Sequence, residues 1–278
     1  MKDNNRRGGV IVDAHVHLYD CFEIHEFLSA ALENLRLAAR DTGFNSESTC
    51  VLLLAETPRE CAFQRLLGLT KVCHQSDAPG RGRRWYVEQL PNDEAGMLAT
   101  DDTGNTLIVI AGRQIVSSEG LEVLALATNR SIESGRSLRD SIQMINSVDA
   151  IAVVPWGVGK WLGQRGKVVR RYIESANRND VFLGDISGRP SFWPRSDVFR
   201  LAESRGIRVL PGTDPLPLRS ETRRAGSCGF HIDHELSLDN PTRALKKALS
   251  DDTVTIREHV YRESTWRFFY NQLRIRRQ

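Results

Sequence analysis

Short unbroken apolar runs, most of them followed by a stretch with helical spacing, recur along this 278-residue chain. Val10 to Val12, Val51 to Leu54, Ala150 to Val154 and Val181 to Leu183 contain no polar residue. A strand that is apolar at successive positions must be covered on both faces, and such sheets are characteristically parallel ones built from β-α-β units.

Helical signals lie between these runs. Ile24, Phe27, Leu28, Ala31, Leu32, Leu35 and Ala38 share one helical face, with Gly43 just beyond. Pro58 predicts the start of a second helix through Cys61, Phe63, Leu66 and Leu67. Further helices are read at 137–148, on Val169, Tyr172, Ile173 and Ala176, and between the N-cap candidate Ser196 and Gly206. The tail from Pro241 reads as helical, with Trp266, Phe269 and Leu273 facing the body.

The middle departs from this rhythm. WYVEQL, GMLATDDTGNTLIVIAG and LEVLALAT read as strands, with Thr103-Gly104-Asn105 as a turn. A polar, glycine-rich loop, QSDAPGRGRR, precedes them at 75–84. The expectation is one α/β domain over 1–278, with a small antiparallel, β-rich insertion at about 80–120 and a helical segment from about 241. About six strand–helix units, and no GxGxxG after the first strand, favour an irregular TIM-like (β/α) barrel of seven or eight strands over a dinucleotide-binding sheet.

Composition narrows location and partners. A formal charge of +3, part of it in the tails MKDNNRR and RIRRQ, argues for no nucleic-acid partner. Five cysteines without a CxxC pair give no disulfide framework and no zinc-finger spacing, which suits a reducing cytoplasm. The N-terminus is polar and lacks a signal-like apolar segment, and no run approaches the ~20 apolar residues that span a bilayer. A cytoplasmic protein with no membrane partner is expected, its oligomeric state left open.

In a barrel of this kind the residues just after each strand face the active site. His15 and His17 follow the first strand, Glu56 the second, and Asp185 and Asp214 two later ones. Histidines at i and i+2 on a strand point to the same side, so both imidazoles can reach one cation. Asp13, just before them, suits orienting a neighbour better than binding metal. Lys160 in the loop WGVGKWLGQRG, Arg189 in SGRP, and Arg223 with Arg224 add positive charge for an anionic substrate.

VDAHVHL and GTDPLP together resemble the first-strand HxH and last-strand Asp of the amidohydrolase superfamily and the related PHP (polymerase and histidinol phosphatase) family. AGRQIVSSEGLEVLALAT is similar to the PHP segment in which a strand with a metal-binding Glu leads into G-x-E-x-L-A-L. Gln114 stands where that Glu would be, and AIAVVPWGVGK lacks the histidine such families carry after the strand. No histidine lies between His74 and His231.

The resemblance implies one divalent ion (Zn, Mn or Fe) held by His15, His17 and Asp214, with Glu56 or Asp185 as further ligands. Asp214 would bind the ion or act as general base toward water. Lys160, Arg189, Arg223, Arg224 and Gln114 would contact a small anionic substrate. The expected function is a metal-dependent hydrolase, phosphoesters favoured over cyclic amides. The alternative is a degenerate, non-catalytic barrel that binds a small anionic ligand. A third reading makes TWRFFYNQL a docking helix for a partner subunit, with ordinary packing favoured over it.

Overall fold

The computed structural model describes residues 9–43, 48–70 and 83–275. The glycine-rich loop read at 75–84 lies almost wholly outside the described residues, as do the first eight and last three.

The first half of the chain runs β1 (Val10–Val16), α1 (Ile24–Asp41), β2 (Thr49–Leu54), α2 (Ala62–Leu67), β3 (Trp85–Gln89), β4 (Gly96–Asp101), β5 (Thr106–Ile110), β6 (Gly112–Val116) and β7 (Glu122–Leu126). The second half runs α3 (Leu138–Ser147), β8 (Ile151–Pro155), α4 (Gly163–Ser175), β9 (Phe182–Gly184), α5 (Asp197–Ser204), β10 (Cys228–Ile232), α6 (Pro241–Ser250), β11 (Ile256–Val260) and α7 (Thr265–Ile275). Local chemistry sets several starts. Glu23 accepts from the amides of His25 and Glu26 ahead of α1, and Ser137 and Ser196 cap α3 and α5 in the same way.

The α/β class holds, but the closed (β/α) barrel does not form. The strands make two mixed sheets, ordered β11-β10-β1-β2-β5-β4-β3 and β6-β7-β8-β9. Only β1–β2, β2–β5 and β8–β9 pair in parallel. The insertion read at about 80–120 is antiparallel: β3, β4 and β5 form a meander, and β6–β7 form a hairpin that runs past its end. β1 has the antiparallel β10 as its other neighbour.

The two sheets touch through single bridges instead of continuous ladders. One joins Glu56 to Arg113; two others, Leu183–Val209 and Ile186–Gly212, tie the end of β9 to the stretch expected as the last barrel strand. That stretch holds Pro211, whose missing N–H prevents an unbroken ladder. Its other groups bond to both sides: Pro211 accepts from the Ala14 amide at 3.2 Å, and Gly212 donates to the Asp185 carbonyl at 2.9 Å. A short irregular segment is thus wedged between the sheets at the end of β1.

α1 buries Phe27, Leu28, Ala31, Leu32 and Leu35 completely against the larger sheet. Each large aliphatic side chain so placed contributes roughly 1.5–3 kcal/mol. α7 reverses the expectation. Trp266, Phe269 and Leu273 are 82%, 53% and 58% exposed, while Phe268 and Asn271 are buried. Polar contacts hold this helix: Asn271 Nδ2 donates to Glu221 and Glu263 at 3.2 and 3.0 Å, and Arg267 pairs with Glu221 at 2.8 Å.

Buried His231 and His259, on the paired strands β10 and β11, lie with ring centroids 5.2 Å apart. Burial, with mutual repulsion in the case of His231, pushes their pKa down to about 3 and about 4 from 6.5. Both rings are neutral in the fold, whereas the unfolded chain protonates them near 6.5. Their stabilising share is therefore full above that pH and is lost as pH falls toward 4. Between pH 8 and 5, urea unfolding of the wild type should lose about 2 kcal/mol more than His259→Phe. Equal losses would remove this ring from the acid response.

Candidate metal centre

β1 delivers three polar residues to one side. Buried Asp13 accepts from the Thr213 amide at 2.8 Å, the Thr213 hydroxyl at 2.5 Å, the Gly226 amide at 2.8 Å and the His15 amide at 3.3 Å. Burial outweighs these four bonds and raises its carboxyl to about 7. Asp13 thus fixes the Thr213–Asp214 segment against β1 and leaves the next positions free for other work.

The Asp214 amide donates to the His15 carbonyl at 2.8 Å, and its φ is +47°. That left-handed conformation costs a non-glycine residue roughly 1–2 kcal/mol. The turn swings its carboxylate inward, with Oδ1 3.5 Å from His15 Nε2 and 3.7 Å from His17 Nε2. Gly212 makes this approach feasible, since a Cβ there would sit 2.3 Å from the His15 backbone nitrogen and 2.5 Å from its Cβ. Gly212→Ala should cost about 1–3 kcal/mol in urea unfolding and weaken metal uptake as well. A variant with unchanged stability would show that β1 gives way easily.

The two Nε2 atoms face each other at 3.2 Å, and Gln114 Oε1 lies 3.2 Å from His15 Nε2. Glu60 Oε2 is 3.1 Å from His17 Nδ1 and is held by the Thr57 amide at 2.7 Å. A carboxylate at that nitrogen places the ring proton on Nδ1 and leaves Nε2 with its lone pair turned inward. His15 Nδ1 is buried without a hydrogen-bond partner among the described residues.

The two rings are tuned apart. Burial lowers the His15 pKa. Burial also pulls on His17, but the Glu60 hydrogen bond and the Asp214 charge more than offset it, so its pKa is raised. Tyr19 stacks on His17 at 5.3 Å and closes that side.

Two imidazole nitrogens, a carboxylate oxygen and an amide oxygen converge on one place, where a single cation would meet all four. The donor set is that of a nitrogen- and oxygen-ligated divalent ion. Among the described residues, His15, His17 and Asp214 are the one group of at least three His, Cys, Asp or Glu side chains with ligand atoms all within 4.8 Å.

The other candidates are spent elsewhere. Glu56 accepts from Arg113 and from the amide of Phe63 in the first turn of α2. Asp185 is fully buried and grips Arg189, whose Nε lies 2.9 Å from Oδ1 and whose Nη2 bonds Oδ2. Arg224 lies between Ser187, Glu221 and Glu263, and Arg223 is an exposed side chain with Glu26 and Glu33 at 3.4 and 3.6 Å. The basic rim is therefore mostly internal ion pairs.

Lys160 differs: it is one-third exposed, 3.2 Å from Glu122, and the charge of Glu122 reaches both His15 and His17. Glu60 and Glu122 escaped the sequence reading. Glu60 follows the second strand closely but looked like helix, because Pro58 suggested an earlier helix start. Glu122 lay inside the quoted GLEVLAL run.

A scan of the sequence against protein families and against curated proteins finds no match. Solved structures do resemble it. PsfC from Pseudomonas syringae PB-5123 is 15% identical, over 90% of this chain and 91% of that one, with a TM-score of 0.48. The lesion-specific endonuclease PfuEndoQ from Pyrococcus furiosus is 12% identical, over 89% of this chain and 57% of that one, with a TM-score of 0.51. Endonuclease Q in complex with a 27-mer duplex substrate bearing an abasic lesion at the active site is also 12% identical, over 87% and 56%, with a TM-score of 0.47.

The likeness is one of fold. This chain spans little more than half the length of the endonuclease Q chains. The exclusion of nucleic acid, drawn from the small net charge, is corrected: PfuEndoQ, of similar fold, is an endonuclease by name, and net charge is a sum that says nothing of local distribution. Among the described residues, no helix is long and apolar enough to cross a membrane.

Proposed function

We propose that this chain is a metal-dependent hydrolase of phosphoesters. One observation carries the reading: His15 Nε2, His17 Nε2 and Asp214 Oδ1 converge at the end of β1, two of them on buried rings. These residues, with Gln114, would hold the ion. A divalent ion there would polarise a phosphoryl oxygen and make water a competent nucleophile near neutral pH.

The chain supplies the rest. Glu60 keeps the His17 proton on Nδ1, so the opposite nitrogen stays a donor of electrons. Asp214 is one-quarter exposed, and its carboxylate would accept a proton from water. Lys160, paired with Glu122 at 3.2 Å, would steady a phosphate. The motif resemblance to the PHP family supports phosphoesters over cyclic amides. Phosphodiesters of DNA join the substrates to be tested, since an enzyme of similar fold is a lesion-specific endonuclease.

The test strips the protein with chelator, refills it with Mn²⁺, Zn²⁺ or Fe²⁺, and assays a phosphomonoester, a phosphodiester and a cyclic amide. Metal-dependent release of phosphate or nitrophenol is expected. Stoichiometric metal without turnover of any substrate would favour a binding protein, for which the neutral Gln114 already speaks. Failure to take up any of the ions would sink the proposal.

A further inference from the structure

α7 presents an uncovered aromatic face. Trp266, Phe269, Tyr270 and Leu273 recur at helical spacing, and each is at least half exposed. Phe192, also half exposed, stacks on Phe269 with ring centroids 6.0 Å apart and widens the face. The helix carries Arg267 and Arg274 and no carboxylate, and Arg274 lies 5.7 Å from the Tyr270 ring centroid.

The start of this helix opens onto a cavity of about 490 Å³ whose lining includes Arg223, Arg224, Arg262 and Arg267, one carboxylate, Glu263, and serine hydroxyls. Arg224 and Arg267 are braced by buried Glu221 and Glu263. Arg262 has no ion pair among the described residues, and Arg223, 63% exposed, has only the solvent-exposed Glu26 and Glu33 at 3.4 and 3.6 Å, so these two guanidinium groups remain open to a further anion. The cavity backs onto the candidate metal centre. Arg224 Nε donates to Ser187 Oγ at 2.9 Å, Ser187 Oγ donates to the Thr213 carbonyl at 2.6 Å, and Thr213 precedes Asp214.

We propose that the exposed face of α7 and the arginine-lined cavity at its start form a docking surface for a single-stranded nucleic acid. Flat rings take unpaired bases by stacking, and guanidinium groups take phosphates. A polymer that alternates flat apolar units with anionic ones matches both parts of this surface at once. Other occupants fit less well. A second copy placed about a two-fold axis would bring two helices together that carry Arg274 and no acid to answer it, since Arg267 is already paired with Glu221. A bilayer surface meets the aromatic face but does not enter the cavity. A duplex keeps its bases stacked inside and offers Trp266 nothing to cover.

The inference extends the phosphoester reading to a strand substrate but stands on residues outside the metal cluster. It is therefore tested in chelator, where hydrolysis plays no part and the two ideas fail separately. The probe is fluorescence anisotropy of a labelled oligothymidylate at low salt. Duplex DNA of equal length and vesicles of phosphatidylcholine with one-quarter phosphatidylglycerol serve as comparators.

Binding of the single strand is expected, about tenfold weaker in Trp266→Ala. Arg262→Glu should weaken it comparably and flatten its salt dependence. Both side chains lie outside the core, and unchanged melting temperatures would confirm intact folding. Absent binding, or binding indifferent to both substitutions, overturns the proposal. Preference for the duplex, preference for the vesicles, or a dimer dispersed by Trp266→Ala would also overturn it, each naming another occupant.

Discussion

Replacing Arg189 with leucine is expected to destabilise the fold by about 3–5 kcal/mol, because it strands the Asp185 carboxylate in the interior. Both side chains are almost wholly inaccessible, at 1% and 0% exposure. The guanidinium meets both carboxylate oxygens and also donates to the Trp193 carbonyl at 3.3 Å. Replacing both members with leucine should recover at least half of that loss, since an apolar pair leaves no uncompensated charge. The Ile186 amide, which donates to Asp185 Oδ1 at 3.0 Å, would lose its partner and keep recovery incomplete.

Urea unfolding of the two single variants and the double variant gives the coupling directly. The same variants decide between two roles for Arg189. A substrate-binding arginine would raise KM and leave stability almost untouched. A single-variant cost below about 1 kcal/mol would thus return Arg189 to the list of substrate contacts.

Asp185 and Arg189 also show where sequence reading stops. Acids and arginines after strands look alike in sequence whether they face a substrate or one another. The i, i+4 spacing of this pair, and the i, i+3 spacing of Glu221 and Arg224, were the available signs that the charges are spent internally. His15 and His17 were legible because strand alternation alone puts both rings on one side. Asp214 was legible as an acid after an apolar run, although an irregular wedge carries it instead of a strand.

Glu60 was not legible. Three residues of turn between Pro58 and the start of α2 decide whether its side chain faces solvent or His17, and no propensity distinguishes the two. The fold divides similarly. Every α/β run before Ala55 was readable, and α1, α3 and α5 start close to their expected places. Closure into a barrel was not readable, because an apolar run such as β8 looks the same in sequence whether its neighbour, here β7, runs antiparallel or parallel to it. β10 and β11 were missed because CGFHI and IREHV mix polar with apolar residues, and the histidines that one strand buries against the other look exposed in a sequence.

The metal centre makes a prediction graded by distance from the ion. His15→Ala combined with His17→Ala should abolish metal uptake and, with it, hydrolysis, since the two imidazole nitrogens are the most enclosed donors in the cluster. Glu60→Gln leaves all four inward-facing donor atoms in place but removes the charge that holds His17 in one tautomer. It should weaken metal affinity by about 10–100-fold, as the loss of such supporting carboxylates does. Gln114→Glu should act in the opposite sense and tighten binding, because it adds a second carboxylate 3.2 Å from His15 Nε2.

Metal content by elemental analysis and affinity by competition with a chromogenic chelator read the series without recourse to a substrate. An ion retained in the double variant would place it away from β1. A Glu60→Gln protein that binds as tightly as the wild type would mean that packing alone, including the stack with Tyr19, orients His17. A Gln114→Glu protein that binds more weakly would show that the amide contacts His15 as a hydrogen-bond partner and has no place among the ligands.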